Sequence, residues 1–419
     1  MHWGPMYRKT VLDNGVRILS ERIPHVRSIS IGAWVRSGSR YETPETNGMA
    51  HFIEHMLFKG TQSRTAFEIA SLIDSVGGLM NAVTGKEWTS FYLKIPDHHL
   101  ALSIDLLSDI FNRSLFDEEE IRKEKMVVLQ EIRMLEDSPG ENIHDLFEGH
   151  FWAGHSLGRP VLGKAESVEN FLRDAILRFF GDRYGGDGLI ITAAGCLDHD
   201  PLVALLADSF AGRGGEAKDT PCGEPCPQRT IAVWEKDLEQ VHLVLGSVAP
   251  SSVNPRRFPG FVLNAALGGN MSSVLFQEIR EKRGLAYSIY SYLNSYADTG
   301  LIGVYAGVDK ADFAEVVELV LAAFRRMAGE HLPEEELARA KESLKGNYLL
   351  SMESTDNRMS RLARNEIHFG RPVPVEEVIA QIEAVSAEDV RRLAEEMFDA
   401  RLLSLAVTGP ISEGDVRLP

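Results

Sequence analysis

Two histidines and a glutamate lie close together in the segment "HFIEH", which runs from His51 to His55. On a helix, His51 and His55 would stand one turn apart on the same face, a separation at which two imidazoles can bind one zinc ion. Glu54 would lie beside that face, where its carboxylate can act as a base toward a metal-bound water without being a ligand. The segment therefore predicts two metal ligands together with a general base.

A catalytic zinc ion takes three protein ligands and keeps one position open, so the third ligand must come from elsewhere in the chain. Glu124 and Glu131 are seven residues apart in a segment with helical periodicity, which places them on one helix face. They interrupt an otherwise apolar stripe, where a carboxylate is costly unless it is paired or binds a cation. These two glutamates are therefore the candidates that complete the site.

The chain of 419 residues contains one internal repeat. The matching pairs are "SISIGAWVRSGS" from Ser28 with "VHLVLGSVAPSS" from Val241, "FDEEEIRKEK" from Phe116 with "LPEEELARAK" from Leu332, "GRPV" from Gly158 with "GRPV" from Gly370, and "ITAAG" ending at Gly195 with "LAVTG" ending at Gly409. Their offsets are 213, 216, 212 and 214 residues. They predict two copies of one domain, 1–211 and 231–419, joined by a Gly- and Pro-rich linker over 212–230 that would act as a hinge.

The second copy is an internal control for the alternative that "HFIEH" is only the polar face of an ordinary helix. Its segment "NAALGGNMSSVLFQEIREKRGLAY" contains no histidine, and Ala340 and Asn347 stand where the first copy has Glu124 and Glu131. A structural role would survive in part of the copy, whereas all the metal-binding groups are lost together. The repeat therefore predicts a catalytic domain over 1–211 that binds one Zn²⁺ per chain and a non-catalytic domain over 231–419.

Strand-like and helical segments alternate within each half. "VRILSERI" and "SISIGAWVRSG" have the alternation of half-buried strands, and "WTSFYLKIP" is aromatic and β-branched. "DEEEIRKEKMVVLQEIRMLED" has helical periodicity, with Asp117 as its N-cap, and Gly60 is expected to stop the helix that contains "HFIEH". The pattern predicts an α+β fold in duplicate, each copy a mostly antiparallel sheet with helices packed on one face.

Composition excludes some classes of protein. The net charge of −17 argues against nucleic acid as a partner, because phosphate binding needs basic patches. It would suit a cationic substrate, and the alternative is that the acidic surface only keeps the protein soluble. No apolar run approaches the roughly 20 residues of a membrane span, and the first residues lack the apolar core of a secretory signal, so a cytoplasmic protein is expected. Cys222 and Cys226 resemble half of a zinc knuckle, but without a second Cys/His pair nearby a loop is the preferred interpretation.

His51-x-x-Glu54-His55, followed 76 residues later by Glu131, resembles the pitrilysin family of zinc peptidases, family M16, which has the inverzincin order of residues. "HFIEHMLFKGT" and "GGLMNAVTGKEWTSFY" resemble its short-chain branch, which includes the β subunit of the mitochondrial processing peptidase and bacterial proteins similar to it. The resemblance covers essentially the whole chain. It implies that His51, His55 and Glu131 bind zinc, that Glu54 is the general base, and that Glu124 orients a ligand histidine.

The resemblance also implies substrate contacts in both halves. Asn81 and Ala82, in the strand "LMNAVTG", would pair with the substrate backbone, although an ordinary strand is an equal alternative. Arg280 and Tyr287, in "IREKRGLAY", would contact the substrate near the scissile bond, with surface charges and a half-buried tyrosine as the alternative.

Long-chain members of the family join four such domains, so two chains of this length are expected to close around one chamber. Because this chain has both the zinc-binding set and the Arg280/Tyr287 pair, a homodimer is the simpler expectation, with the second domain of the partner facing the catalytic domain. The expected activity is that of a zinc endopeptidase acting on unfolded peptides or targeting peptides, basic ones among them. Two alternatives stay open: a non-catalytic peptide-binding subunit and a zinc hydrolase with another substrate.

Overall fold

A computed structural model describes residues 7–218 and 222–418. The chain forms two compact units, and neither is continuous in sequence. The first contains the chain up to Met134, Arg159–Cys222 and Ser351–Pro372, and the second contains Leu135–Gly158, Gly223–Leu350 and the chain from Val373. Each unit therefore takes one segment from the opposite half of the sequence. The predicted bounds, 1–211 and 231–419, describe the sequence repeat and stay a prediction.

The strands of the first half are β1 (Tyr7–Val11), β2 (Arg17–Arg22), β3 (Ser28–Val35), β4 (Leu79–Thr84), β5 (Thr89–Pro96) and β6 (Leu189–Gly195). Its helices are α1 (Met49–Met56), α2 (Ala66–Ser75), α3 (Leu100–Arg113), α4 (Glu118–Glu136), α5 (Pro139–Phe151), α6 (Ala165–Glu169), α7 (Arg173–Arg183) and α8 (His199–Phe210).

The strands of the second half are β7 (Ile231–Glu235), β8 (Val241–Ala249), β9 (Ala286–Ser295), β10 (Gly300–Val308) and β11 (Ser404–Gly409). Its helices are α9 (Arg257–Leu267), α10 (Phe313–Gly329), α11 (Glu334–Ser351), α12 (Thr355–Phe369), α13 (Val375–Ala384) and α14 (Ala387–Met397), and a short π-helix, Phe276–Glu281, precedes β9. Within the described ranges, no helix has both the length and the apolar character needed to cross a bilayer.

The two sheets have the same topology. The first has the order β1-β2-β6-β3-β5-β4 and the second β7-β11-β8-β10-β9, so the orders coincide once β1 is set aside. Each sheet has one parallel pair, β2 with β6 and β7 with β11, and its other neighbouring strands are antiparallel. The duplicated α+β fold predicted from the sequence is confirmed.

The register of the repeat differs by one residue from the sequence match. Ile29 and Ile31 of β3 point into the main core of the first unit, and Leu243 and Leu245 of β8 point into that of the second. The offset between these strands is therefore an even number, whereas the sequence match gave 213. A Cβ added at Gly195 would meet Ile29 of β3, and one added at Gly409 would meet Val241 of β8, so the offset is 212 residues. The difference matters because a slip of one residue moves every side chain of a strand to the opposite face of the sheet.

Each sheet carries a helix from the opposite half of the sequence on its second face. In the first unit, Met359 and Leu362 of α12 pack against Leu19 and Trp34, which alternate with the residues that face the main core. In the second unit, α5 packs in the same way against β8 and β11. The sequence predicted helices on one face only. It did not predict this exchange, because an apolar helical stripe does not specify which sheet it will cover.

A glycine in a central strand allows each of these helices to approach closely. A Cβ added at Gly32 of β3 would lie 3.1 Å from the sulfur of Met359, and one added at Gly246 of β8 would lie 2.9 Å from Cζ of Phe147. Glycine inside a strand commonly marks such a close approach. Gly32 and Gly246 therefore mark where an exchanged helix comes closest to each sheet.

The predicted linker, 212–230, is partly anchored to the first unit. Arg213 donates from Nε to the carbonyl oxygen of Tyr184 at 2.8 Å, and the N–H of Ala217 donates to Oδ1 of Asp187 at 2.6 Å. Residues 219–221 of this segment lie outside the described residues. The hinge role of the segment stays a prediction.

Candidate metal centre and active site

Helix α1, which contains "HFIEH", begins at a buried carboxylate. Glu42 accepts hydrogen bonds from the N–H groups of Gly48 at 2.7 Å and Ala50 at 2.8 Å, and from the side-chain amide of Asn47 at 3.0 Å. The first N–H groups of a helix have no partner within the helix, and a negative charge there also complements the helix dipole. The sequence did not reveal Glu42, because a glutamate six residues before Gly48 matches no standard capping pattern.

The helix ends earlier than expected. Its last residue is Met56 and its C-cap is Leu57, so Gly60, with a φ of +112°, lies beyond the helix rather than at its stop. The expectation for Gly60 is therefore wrong, but the helix is long enough to contain the whole motif. Phe52 and Ile53 are fully buried in the main core, which leaves the histidines on the opposite side of the helix.

The structure brings His51, His55 and Glu131 together. Oε2 of Glu131 lies 3.8 Å from Nε2 of His51 and 3.6 Å from Nε2 of His55. All three donor atoms lie within 4.8 Å of one another, and no other group of three such residues occurs in the described part of the chain. Cys222 and Cys226 belong to no such group there. Four-coordinate zinc with bonds of about 2.0–2.1 Å holds its donors about 3.4 Å apart, which these distances approach.

The electrostatics of this cluster fit a bound cation. Oε2 of Glu131 is buried and has no hydrogen-bond partner among the described residues, a costly state for a carboxylate oxygen unless a cation faces it. Burial, together with the neighbouring His55, lowers the pKa of His51 to about 3, so its imidazole is neutral near pH 7 and its lone pair is available. Two imidazole nitrogens and one carboxylate oxygen are a donor set that zinc accepts.

Glu124 contacts the nitrogen of His55 that does not face Glu131. Its Oε1 lies 2.8 Å from Nδ1 of His55, and its Oε2 lies 2.7 Å from Nζ of Lys59. Burial raises the pKa of Glu124, but the hydrogen bonds with His55 and Lys59 outweigh burial and lower it overall. An ionised Glu124 accepts the proton of Nδ1, which leaves Nε2 of His55 as the free lone pair on the side of Glu131. Glu124 is therefore placed as the sequence predicted, whereas Lys59 was missed.

Glu54 lies on the same helix and is held by strand β4. The hydroxyl of Thr84, the last residue of β4, donates to Oε2 of Glu54, and Oγ1 of Thr89 lies 3.3 Å from Oγ1 of Thr84. Burial raises the pKa of Glu54, and the hydrogen bond from Thr84 partly opposes that rise. A raised pKa suits a group that must take up a proton near neutral pH and release it again. The sequence did not indicate Thr84 either, because no spacing relates the end of β4 to Glu54.

Strand β4, which contains Asn81 and Ala82, lies at the edge of its sheet. Asn81 is opposite Tyr92 and Ala82 is opposite Phe91 of β5, and no other described strand pairs with β4. The N–H of Ala82 donates to the side-chain oxygen of Asn81 at 2.8 Å. An edge strand has main-chain groups that can pair with an extended peptide, and this strand ends at the residue that contacts Glu54. The role of Asn81 and Ala82 stays a prediction.

Arg280 and Tyr287 lie in the second unit, where they contact each other. Cζ of Arg280 is 4.8 Å from the ring centre of Tyr287 and 4.8 Å from that of Phe276. Tyr287, at the start of the edge strand β9, is 80% exposed rather than half-buried. The tyrosine is therefore not half-buried, as the alternative expected, and the substrate role of the pair stays a prediction.

Comparison with known proteins agrees with the geometry. A family model described as insulinase, peptidase family M16, matches residues 17–165, and one described as the peptidase M16 inactive domain matches residues 170–344. An uncharacterized zinc protease of Streptomyces coelicolor is 40% identical over 97% of this chain and 90% of its own length. The uncharacterized zinc protease YmxG of Bacillus subtilis is 40% identical over 94% of this chain and 96% of its own length.

Two solved structures share the fold. A protease from Helicobacter pylori superposes with a TM-score of 0.89 at 22% identity over 97% of this chain and 100% of its own. A Pseudomonas fluorescens protein described as a peptidase M16 inactive domain superposes with a TM-score of 0.90 at 18% identity over 97% of this chain and 98% of its own. At these identities the structures support the fold alone. The sequence relatives and the family models extend over both halves, and this chain therefore belongs to the insulinase family of peptidases, family M16.

Proposed function

We propose that this protein is a zinc-dependent endopeptidase that cleaves peptides bound in an extended conformation. The observation that carries the proposal is the convergence of His51, His55 and Glu131, with the carboxylate of Glu54 on the same helix as the two histidines. The relatives that are named zinc proteases support the metal and the class of reaction.

The proposed chemistry divides the work among four side chains. His51, His55 and Glu131 would hold the ion through two nitrogens and one oxygen. Bound zinc supplies a Lewis acid for the scissile carbonyl and lowers the pKa of a water to about 7. Glu54 takes a proton from the attacking water as its oxygen adds to the carbonyl carbon. It then passes that proton to the amide nitrogen as the C–N bond breaks, so the products are a carboxylate and an amine.

The proposed substrate is a peptide that pairs with strand β4 through its main chain. Main-chain hydrogen bonds do not depend on the identity of the side chains, so such a site tolerates peptides of varied sequence, including targeting peptides. The net charge of −17 favours basic peptides. Thr84 connects the strand to the base, so a peptide paired with β4 would lie beside Glu54.

The assembly that we propose is a cytoplasmic homodimer. Arg280 and Tyr287 of one chain would contact the peptide bound to the catalytic unit of the other and stabilise the developing oxyanion. The description of the family model over residues 170–344 as an inactive domain is in line with a supporting role for the second half.

A peptide-library digest with matched variants tests the proposal. The wild type is expected to bind one Zn²⁺ per chain and to cleave. Glu54→Gln should keep the metal and lose about 10²–10⁴-fold in rate, because the loss is confined to proton transfer. Glu131→Gln should lose the metal itself. Glu136→Gln, an exposed glutamate on the same helix, is the control and should change neither property.

Two results would contradict the proposal. Full cleavage by Glu54→Gln would remove the mechanism, and unchanged metal content in Glu131→Gln would assign the third ligand to another residue. Binding of library peptides without cleavage by the zinc-loaded wild type would favour a non-catalytic peptide-binding subunit instead.

A further inference from the structure

Lys59 is the second partner of the carboxylate that supports the metal site. Its Nζ lies 2.7 Å from Oε2 of Glu124, whose other oxygen lies 2.8 Å from Nδ1 of His55. The two oxygens of one carboxylate are therefore divided between a lysine and a metal-binding histidine. The backbone of Lys59 is also fixed, because its N–H donates to the carbonyl oxygen of Met56, the last residue of helix α1, at 3.1 Å.

The environment of Glu124 makes this lysine important. Glu124 is 3% exposed, so water contributes little to the solvation of its carboxylate. A buried carboxylate needs a counter-charge and hydrogen bonds to both oxygens, and here Lys59 supplies the charge and the contact to Oε2. A carboxylate held at one oxygen alone can rotate about its last torsion angle, and its hydrogen bond to His55 would then lengthen.

We propose that Lys59 is a positioning residue of the metal site, acting through Glu124 on the ring of His55. The inference rests on the proposed function, since it assumes that His55 is a metal ligand. Lys59 fixes the plane of the Glu124 carboxylate, and the carboxylate fixes the tautomer and the orientation of the imidazole. Nε2 of His55 is thereby kept facing Oε2 of Glu131, 3.6 Å away. Outer partners of this kind typically contribute about 10–100-fold in metal affinity or activity.

The proposal can be separated from a simple charge effect, because the two act in opposite directions. Lys59 places a positive charge near a site for a divalent cation, so its removal should tighten zinc binding if Coulomb repulsion were its main effect. If Lys59 acts by positioning, its removal should weaken zinc binding. The sign of the change therefore decides between the two roles.

The experiment measures Zn²⁺ affinity by competition with a chromogenic chelator. Lys59→Met should bind zinc about tenfold more weakly than the wild type. Lys59→Arg, which keeps the charge and the hydrogen-bond donors, should retain most of the affinity. Lys123→Met is the matched control, because it removes the same charge from an exposed lysine next to Glu124 that pairs with Glu120 instead. It should bind zinc as the wild type does.

A double-mutant cycle and an activity measurement complete the test. Because Lys59 acts through Glu124, Lys59→Met combined with Glu124→Gln should bind zinc no more weakly than Glu124→Gln alone. Excess zinc should restore peptide cleavage by Lys59→Met, which it would not do if the substitution had damaged the fold. The thermal unfolding of the metal-free variants shows whether each of them is folded.

Each outcome bears on the proposal. Equal or tighter zinc binding by Lys59→Met would overturn it, and so would additive losses in the double variant. A wild type that binds zinc but cleaves no peptide would refute the proposed function. The zinc affinities of the wild type and Lys59→Met would then decide the role of Lys59 by themselves. A wild type that binds no zinc would refute both.

Discussion

Replacing Glu42 with alanine is expected to loosen helix α1 and, through it, the metal centre. The carboxylate is 2% exposed and accepts hydrogen bonds from the N–H groups of Gly48 and Ala50 and from the amide of Asn47. Asn47 also donates to the carbonyl oxygen of Pro160 at 3.0 Å, so its amide keeps a partner in the variant. The substitution therefore leaves two buried backbone N–H groups without a side-chain acceptor.

The size of the effect follows from these two groups. A buried donor left without a partner costs about 1–3 kcal/mol, so the two together give a loss of about 2–6 kcal/mol in the free energy of unfolding. The desolvation of the buried carboxylate, which raises the pKa of Glu42, disappears with the side chain and offsets part of that loss. We therefore expect a net loss of about 3 kcal/mol, in the lower half of the range.

Urea unfolding of the metal-free protein gives the global effect, and hydrogen exchange of the amides of residues 51–56 gives the local one. Glu45→Ala is the matched control, because Glu45 is an exposed glutamate in the same loop. Glu42→Gln should lose less than Glu42→Ala, since its amide oxygen still accepts. Zinc affinity should fall in Glu42→Ala, because both histidines that we propose as ligands are on α1. If Glu42→Ala and Glu45→Ala agree within about 0.5 kcal/mol, Glu42 does not anchor the helix.

Two further predictions concern the base and the connection between the halves. Thr84→Val removes the hydroxyl that donates to Glu54 while keeping the shape of the side chain, so kcat should fall about 10–100-fold with unchanged zinc content. Thr43→Val, at an exposed threonine, is its control, and a lower zinc content in Thr84→Val would contradict the assignment. A protease site introduced at the exposed Gly214–Gly215 should, once cut, leave both pieces eluting together in size-exclusion chromatography, because each compact unit contains a segment of the other half. Separation of the cut pieces without denaturant would show that the exchanged segments do not hold the halves together.

The part of the site that the sequence predicted is the part that helix geometry fixes. His51 and His55, four residues apart, must share a face of a helix, and Glu124 and Glu131, seven residues apart, must share another. The absence of these groups from the second copy identified which half contains the site. Family resemblance then paired the two helices, and the structure brings His51, His55 and Glu131 into one cluster.

The support around the site could not be predicted in this way. Glu42 contacts the start of helix α1, Lys59 contacts Glu124, and Thr84 contacts Glu54. All three lie outside the helix, and no periodicity relates their positions to those of the histidines. A glutamate that caps from six residues away and a threonine at the end of an edge strand are recognised only when the loop and the sheet are folded around the helix.

The sequence alone predicted the duplicated fold and the ligand motif, because those depend on local spacing and on one repeated pattern. Tertiary packing sets which sheet face each of α5 and α12 covers and by how much the repeat is offset. Local sequence patterns do not specify this packing, because hydrophobic burial is not directional. An apolar stripe is stabilised by any complementary apolar face. The close approach of a helix to a strand glycine, as at Gly32 and Gly246, selects the sheet face that the helix covers.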